Sequence, residues 1–593
     1  MAELRRTHTI EGIIAAELGE PATLMGWVQH RRDLGQLIFI TLRDRWGELQ
    51  CVLDPAEHPD AHQVAEQLRG EWVVALTGKT RPRPDKEVRD YPGGDREFLV
   101  EAAEVLNAAE TTPFVVEEDV KASEEMRLKY RYLDLRRRTM VRALTVRHKA
   151  VTAIRTYLNS QGFLEIETPI LGRATPEGAR DYLVPSRVHH GAFYALPQSP
   201  QLYKQILMCS GVDKYYQIPR CMRDEDLRGN RQPEHTQLDL EMSFATRDEL
   251  FSIGEGVMAS VWREAIGVEL ETPFPRLSYN EVMARFGSDK PDMRFGSEIT
   301  DLTELWQGTE AQFIASGLEE GGRVHGVFIP GASLSRKELD GWTETARKLG
   351  AGGLMTLTLG AELKGSVAKF VSEPAPFVEA AGADGHGDPS HPGTWFMVLG
   401  SASDNRKVLG QLRLKLGEAF ELIDKDKWAW AWVVDFPLYE ADEETGGVTA
   451  CHHPFTLPVA EDVDKLDSED VETLLSIRAD NYDLVLNGEE LASGSHRIHK
   501  PELQLRVLRR LGLSDEQIEH RFGWFLEAFK YGAPPHRGFA PGIDRIVMKL
   551  LGLDNIRDVI AFPKTATAQC PLTGAPATID DAQWTELGIR PAR

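Results

Sequence analysis

The sequence predicts a multidomain α+β protein that opens with a small β-barrel. Three observations predict it. The chain has 593 residues, more than one hydrophobic core can organise, so it divides into several domains. Residues 1–108 read as three strands, a helix and two strands, and from about residue 142 helical and strand periods alternate. A Gly- and Ala-rich stretch interrupts that alternation between about 287 and 425, with the look of a domain inserted into another.

The barrel strands are expected at Ala22–His30, Leu37–Arg43 and Glu48–Asp54, then a helix near Ala61–Leu68 and strands near Trp72–Arg81 and Phe98–Asn107. This is the order of an OB-fold, which often binds single-stranded nucleic acid. In the second strand Ile38, Ile40 and Leu42 alternate with Phe39, Thr41 and Arg43. Phe39 therefore shares the polar face, where an aromatic ring is a stacking platform for an unpaired base. The competing assignment packs Phe39 under a loop. On the third strand Leu49, Cys51 and Leu53 point inward and leave Gln50 on the outer face, in reach of a base edge.

Residues 109–141 read as a hinge followed by a basic strip. The whole chain carries a net charge of −24, which argues against nucleic-acid binding. Locally the balance inverts: residues 121–149 hold ten Lys/Arg against three Asp/Glu. Such a strip can meet phosphates, or it can be a charged helix face in water. Hydrophobic residues at 42% and charged residues at 27% are ordinary for a globular protein. No apolar run spans a bilayer, and the N-terminus lacks an apolar signal region. Five scattered cysteines without a CxxC pair argue against a zinc site or a disulfide framework. They fit a reducing cytoplasm.

Residues 142–286 contain a helix expected at Arg147–Gln161, the segment Gly162-Phe-Leu-Glu-Ile-Glu-Thr-Pro169, and the most informative stretch of the chain. Residues 219–244 read PRCMRDEDLRGNRQPEHTQLDLEMSF, a basic strand, a charged loop and an alternating strand. Leu238, Leu240, Met242 and Phe244 point one way; Gln237, Asp239, Glu241 and Ser243 point the other. A cationic loop facing an acidic strand suits a substrate with both a phosphate chain and an amino group. After the inserted stretch, residues 426–560 carry Tyr482-Asp-Leu-Val-Leu-Asn-Gly-Glu-Glu490 and Gly532-Ala-Pro-Pro-His-Arg-Gly-Phe-Ala-Pro-Gly542-Ile-Asp-Arg545. Asn487-Gly488 is a hairpin signal that pairs Val485 with Glu490 and puts Asp483 on the same face as Glu490. Two carboxylates there can hold Mg²⁺ through oxygen; the alternative leaves Asp483 as a structural anchor. Residues 561–593 form a C-terminal extension.

The 219–244 stretch resembles motif 2 of the class II aminoacyl-tRNA synthetases, in the form of the bacterial aspartyl enzymes. Residues 532–545 resemble motif 3, and the 162–169 segment resembles motif 1, which builds the dimer interface. The resemblance covers nearly the whole chain and is weakest in the insertion. It implies an antiparallel-sheet catalytic domain, ATP and Mg²⁺ as partners of catalysis, L-aspartate and aspartate tRNA as substrates, and a homodimer without membrane attachment. Arg223, Glu490 and Arg545 match the catalytic positions. Glu177, Gln201, Lys204, Arg223, Asp239, His452, His453 and Arg497 match the aspartate pocket. Arg223, Asp224, Glu225, Gln232, Glu490, Gly542, Ile543, Asp544 and Arg545 match the ATP site, and Asp483 with Glu490 the metal ligands. Arg31, Arg32, Asp33, Leu34, Phe39 and Gln50 match the anticodon contacts. Leu34 stands where a His is frequent in members that also accept asparagine tRNA, which favours the form restricted to aspartate tRNA. The run Leu-Ala-Ser-Gly-Ser after Glu490 departs from a glycine-richer family pattern. A tRNA-independent adenylate-forming ligase is disfavoured by the barrel and Phe39. A non-catalytic RNA-binding paralogue is disfavoured by Arg223, Glu490, Arg497 and Arg545 occurring together.

Overall fold

Alternating apolar residues close the N-terminal segment into a barrel. The structure is a computed structural model and describes residues 5–174, 179–225, 231–382, 393–442 and 446–590. Strands Pro21–Leu34, Leu37–Arg43, Glu48–Leu53, Val73–Pro82 and Arg96–Asn107 form a closed five-stranded barrel in the order first, second, third, fifth, fourth. Leu24, Val28, Ile40, Leu42, Cys51, Leu76 and Phe98 fill it, and helix Pro59–Gln67 adds Ala61 and Ala65 to the same core. The first strand runs four residues beyond the expected His30. It bulges between Val28 and His30 and pairs on to Leu34↔Leu37. Gly35, with φ +67° in the two-residue turn, allows this tight reversal. Apolar alternation stops at His30, so only the turn signalled the extension.

Phe39 is half-buried and faces Arg32 across the hairpin. Gln50 is also half-buried and donates to Glu97 at 3.0 Å. Arg31 and Asp33 take the opposite face: Arg31 Nε donates to the Ala65 carbonyl at 3.0 Å and its guanidinium pairs with Asp33 at 3.0 Å. The six residues expected at the anticodon are thus divided between two faces, with Leu34 exposed (62%) at the hairpin tip.

Part of the basic strip is spent on contacts within the protein, while Lys121, Lys129, Arg138, Arg142 and Lys149 are exposed. Arg131 is buried, pairs with Asp134 at 2.6 Å and donates to the carbonyls of Arg557, Ile560 and Ala561. Residues 557–577 therefore belong to the compact unit of residues 1–145 and are not a free-standing extension. Arg137 also pairs with Asp134, and Arg136 with Glu71. The long helix begins at Arg138, nine residues earlier than expected, and ends at Ser160. The Glu118 carboxylate accepts from the backbone N–H groups of Arg138 and Thr139 and so caps its start.

The second unit is built on an eight-stranded sheet. Its order is Arg276–Ser278, Trp430–Val434, Asn481–Leu486, Glu489–His496, His536–Pro541, Asp239–Ser243, Lys214–Gln217 and Leu164–Glu165. The central strands are antiparallel and each edge strand pairs parallel. Helix Arg247–Ile266 starts at a capping box on Thr246 and Glu249 and ends at Gly267. Its Trp262 packs edge-on to Trp428 and Trp430, while Phe251 stacks on Trp432. The inserted segment has its own four-stranded antiparallel sheet of Ile299–Asp301, Arg323–Pro330, Gly393–Gly400 and Met355–Leu359. Separate apolar clusters around Trp395 and around Phe396 cover its two faces, the second including helix Ala402–Ala419.

Replacing Arg131 with Ala removes one of the two guanidinium partners of buried Asp134 and leaves three carbonyls without their donor. We expect a loss of about 3 kcal/mol or more of stability, measured by denaturant unfolding of the whole chain; an unchanged midpoint would contradict the assignment.

Candidate active site

A cleft of about 580 Å³ opens over the face of the sheet. The strand Asp239–Ser243 supplies its floor. The expected alternation holds for Leu238, Leu240 and Met242, which are buried. It fails at Phe244, which has φ +59° and is 70% exposed, because the backbone leaves the strand there. The opposite face is not solvated: Asp239 and Glu241 are both fully buried. They survive burial because two cations meet them. Lys204 Nζ lies 2.6 Å from Asp239 Oδ1 and 3.2 Å from Glu241 Oε2. Arg497 grips Glu241 with Nε at 3.0 Å and Nη2 at 3.3 Å. Its Nη1 donates to Ser495 Oγ at 2.6 Å and to His453 Nε2 at 2.7 Å.

Donor counting shows what this cluster leaves over. A lysine has three N–H donors and an arginine five. Among the described residues, Lys204 spends one donor on Asp239 and meets Glu241 as an ion pair, and Arg497 spends four, so each cation, both of which line the cleft, keeps at least one. Asp239 keeps Oδ2 without a partner, and Gln201 keeps its buried Nε2 without one. Burial raises the Asp239 carboxyl against the pull of Lys204. Burial also works on Glu241, but Arg497 and Lys204 override it and hold that carboxyl low. His453 is kept neutral by burial and by Arg497.

One end of the cleft is cationic. Arg223 lines it, and its buried Nε has no partner among the described residues. Burial and Arg223 together depress the His235 imidazole to about 4. Glu225 pairs with Arg231 at 2.9 Å, and Gln232 is a buried wall residue. Arg545 lines the cleft from the first turn of helix Ile543–Leu550 and donates to the Glu490 carbonyl.

Three expected nucleotide residues sit differently. Ile543 is fully buried, so only its backbone is available. The Asp544 carboxylate is engaged by Arg147 and by the Thr236 N–H, at 2.9 Å, and braces the cleft wall. Asp224 lies outside the cleft lining, 4.0 Å from Arg180. Glu177 falls outside the described residues.

The hairpin pairs Val485 with Glu490, as the Asn-Gly turn implied, with Asn487 at φ +51° and Gly488 at +81°. A bulge between Leu484 and Val485 then shifts the register and places Ser493, not Ala492, opposite Asp483. Glu490 lines the cleft while Asp483 is buried behind it. Burial works against the His452 imidazolium, yet Asp483 at 3.7 Å and Cys451 outweigh it and hold its pKa up at about 10. Burial and Glu490 raise the Asp483 carboxyl, and its buried Oδ1 has no partner among the described residues. A divalent cation would satisfy that oxygen. No cluster of three or more candidate ligands occurs among the described residues. One or two carboxylates completed by phosphate oxygens and water is the usual Mg²⁺ arrangement.

Glu241 went without a role in the sequence reading, although the alternation placed it beside Asp239. Gly538 went unread for a different reason. A Cβ there would overlap Glu241 Oε2 and crowd Arg497 Nη2, so this glycine makes room for the ion pair. A Cβ on Gly542 meets only Arg545 Cβ at 3.8 Å.

This fold and cleft belong to a synthetase class. Residues 123–566 match the family described as tRNA synthetases class II (D, K and N), and residues 22–106 match the OB-fold nucleic acid binding domain. The chain belongs to this class II family. An aspartate–tRNA(Asp/Asn) ligase of Anoxybacillus flavithermus is 47% identical over 99% of this chain and 98% of its own. An aspartate–tRNA ligase of Geobacillus kaustophilus is 48% identical over 99% of each. The asparaginyl-tRNA synthetase of Pyrococcus horikoshii, solved with asparaginyl-adenylate, shares the fold at a TM-score of 0.58 and 18% identity, over 95% of this chain and 99% of that one.

Gly538→Ala is expected to displace the Glu241 carboxylate and lower aspartate-dependent pyrophosphate exchange at least tenfold, by misplacing charged groups about 1 Å or more. Wild-type exchange in a folded variant would contradict this role.

Proposed function

We propose that this enzyme activates L-aspartate with ATP and transfers it to the 3′ end of aspartate tRNA. The carrying observation is the pair of leftover donors, one on Lys204 and one on Arg497, beside the open Asp239 oxygen. The side-chain carboxylate of aspartate takes the two donors, and its ammonium takes Asp239 Oδ2. Asparagine has the same shape but presents a neutral amide. Each charge-assisted hydrogen bond lost is worth roughly 1.5–3 kcal/mol, and sites of this kind discriminate by 10⁴-fold or more.

The α-carboxylate of aspartate attacks the α-phosphorus of ATP; the P–O bond to pyrophosphate breaks and an aspartyl-adenylate forms. No protein nucleophile is needed. Arg223 is placed to hold the attacking carboxylate and an α-phosphate oxygen in one plane, for which a guanidinium fork is suited. Arg545 meets the far end of the phosphate chain. Asp483 and Glu490 would hold Mg²⁺, which neutralises charge on the phosphate oxygens when bound. A ribose hydroxyl of the tRNA then attacks the activated carbonyl, and AMP leaves. Phe39, Arg32 and Gln50 on the outer barrel face suit the anticodon bases. Leu34, which offers no hydrogen bond to a base, favours restriction to aspartate tRNA. A second reading, charging of both aspartate and asparagine tRNAs, is favoured by the name of the Anoxybacillus relative.

We infer a homodimer as well. The edge strand Leu164–Glu165 exposes Leu164 (56%), and Ile170 beyond it is 55% exposed, an apolar edge that suits a second copy. Among the described residues no helix is long and apolar enough to cross a membrane.

Radiolabelled aspartate offered with separate aspartate and asparagine tRNA transcripts should label only the first. Label on both establishes the broader enzyme, and label on neither removes the reading. Arg497→Ala should abolish aspartate-dependent pyrophosphate exchange and spare tRNA binding, whereas Phe39→Ala should weaken charging and spare exchange. Equal losses in both assays would separate these residues from their roles. Sedimentation should give twice the 66.4 kDa chain mass, and a monomer would contradict the dimer.

A further inference from the structure

We propose that Lys290 is a charge lock on Glu490 that couples the inserted domain to occupancy of the metal and nucleotide site. The proposal rests on the reading that Glu490 ligates the metal accompanying ATP. Lys290 lies on the segment that leads from helix Tyr279–Phe286 into the insertion. Its Nζ stands 3.3 Å from Glu490 Oε2, with a weaker approach of 3.9 Å to Asp289.

The segment bearing Lys290 is braced on both sides. On the insertion side, Gly287 has φ +64°, and a Cβ there would overlap the Arg406 carbonyl of helix Ala402–Ala419. A Cβ on Gly410 of that helix would likewise crowd the Phe286 carbonyl, so the two helices meet backbone to backbone. Ser288 Oγ accepts from the Lys290 N–H at 3.1 Å and sets the turn that aims the lysine. On the catalytic side, buried Asp292 sits 3.4 Å from the position a Gly488 Cβ would take. The return segment closes the brace. Lys427 Nζ donates to the Met293 carbonyl at 3.1 Å, Asn487 Nδ2 to the Lys427 carbonyl at 3.0 Å, and the Ala429 N–H to Asn487 Oδ1 at 2.9 Å.

Both connections of the insertion are thus tied to the Asn487-Gly488 turn, and Lys290 carries that tie to the carboxylate next to the phosphate chain. An ammonium on Glu490 Oε2 neutralises the carboxylate and repels an incoming divalent cation, so the two partners weaken each other. Metal and nucleotide binding therefore loosens Lys290 and weakens one tie on the entry segment. Conversely, a shift of the insertion that withdraws Lys290 prepares Glu490 for metal. Lys290 is a positioning residue in this scheme, acting through Glu490.

The test is titration of Mn²⁺, followed by its electron paramagnetic resonance, into the full enzyme with ATP and without amino acid. Lys290→Met should bind Mn²⁺ about two- to fivefold more tightly, the range of a partly exposed ion pair, and Lys290→Arg should restore the wild-type value. Hydrogen exchange at residues 288–292 should quicken in the wild type when Mn²⁺ and ATP are added, and should already be fast in Lys290→Met. Unchanged or weaker Mn²⁺ binding in Lys290→Met, with binding lost in Glu490→Gln, overturns the lock and leaves the metal assignment standing. Wild-type Mn²⁺ binding in Glu490→Gln overturns the metal assignment and the lock with it.

Discussion

Lys204, Asp239, Glu241 and Arg497 form a buried group of two cations and two carboxylates on which the catalytic cleft depends. Burying one such charge alone would cost several kcal/mol, and a close partner offsets that only when geometry is good and the remaining hydrogen-bonding positions are filled. Here Arg497 holds Glu241 through two nitrogens and is itself held by Ser495 and His453. Gly538 leaves the space in which the pair sits. Three neighbouring strands, Asp239–Ser243, Glu489–His496 and His536–Pro541, are therefore bound to one electrostatic solution. Among the described residues the cluster leaves donors on both cations and one oxygen on Asp239. In the reading proposed above these gaps answer one carboxylate and one ammonium, and the second carboxylate falls to Arg223.

Much of this was legible in the residue order, and the failures have separate physical causes. The barrel strands followed from period-two alternation, which reports burial directly; the polar extension to Leu34 carries no such signal and is set by the hairpin turn. The long helix was expected to start at Arg147, although Met140, Ala143 and Val146, all buried, already carry its apolar spacing. Its observed start depends on Glu118, twenty residues away, and long-range caps leave no local pattern. The Asn487-Gly488 turn gave the pairing of Val485 with Glu490, whereas the bulge one residue further on depends on packing and moved Asp483 behind the cleft. Phe244 looked like the next inward residue of a regular strand, but the strand ends one residue earlier.

The basic strip shows how charge counts mislead. A run of ten cations in twenty-nine residues suggested a phosphate surface, yet Arg131, Arg136 and Arg137 answer Asp134, Glu71 and backbone carbonyls instead. A guanidinium that donates to three carbonyls and one carboxylate is a structural rivet. With these three cations committed and a net charge of −24, the global charge disfavours non-specific attraction of nucleic acid, although Lys121, Lys129, Arg138, Arg142 and Lys149 of the strip stay exposed. Recognition must then lean on places where local chemistry overrides the global charge. On the barrel the place we propose is Phe39, which pairs with Arg32 across the hairpin and where stacking would be insensitive to the acidic surface. In the cleft we propose Arg223 and Arg545, which line it together with Glu225, Glu490 and Asp544. Stacking and guanidinium contacts are both short-ranged, so in the reading proposed above each rewards a fitting base or phosphate and gives a merely polyanionic chain little.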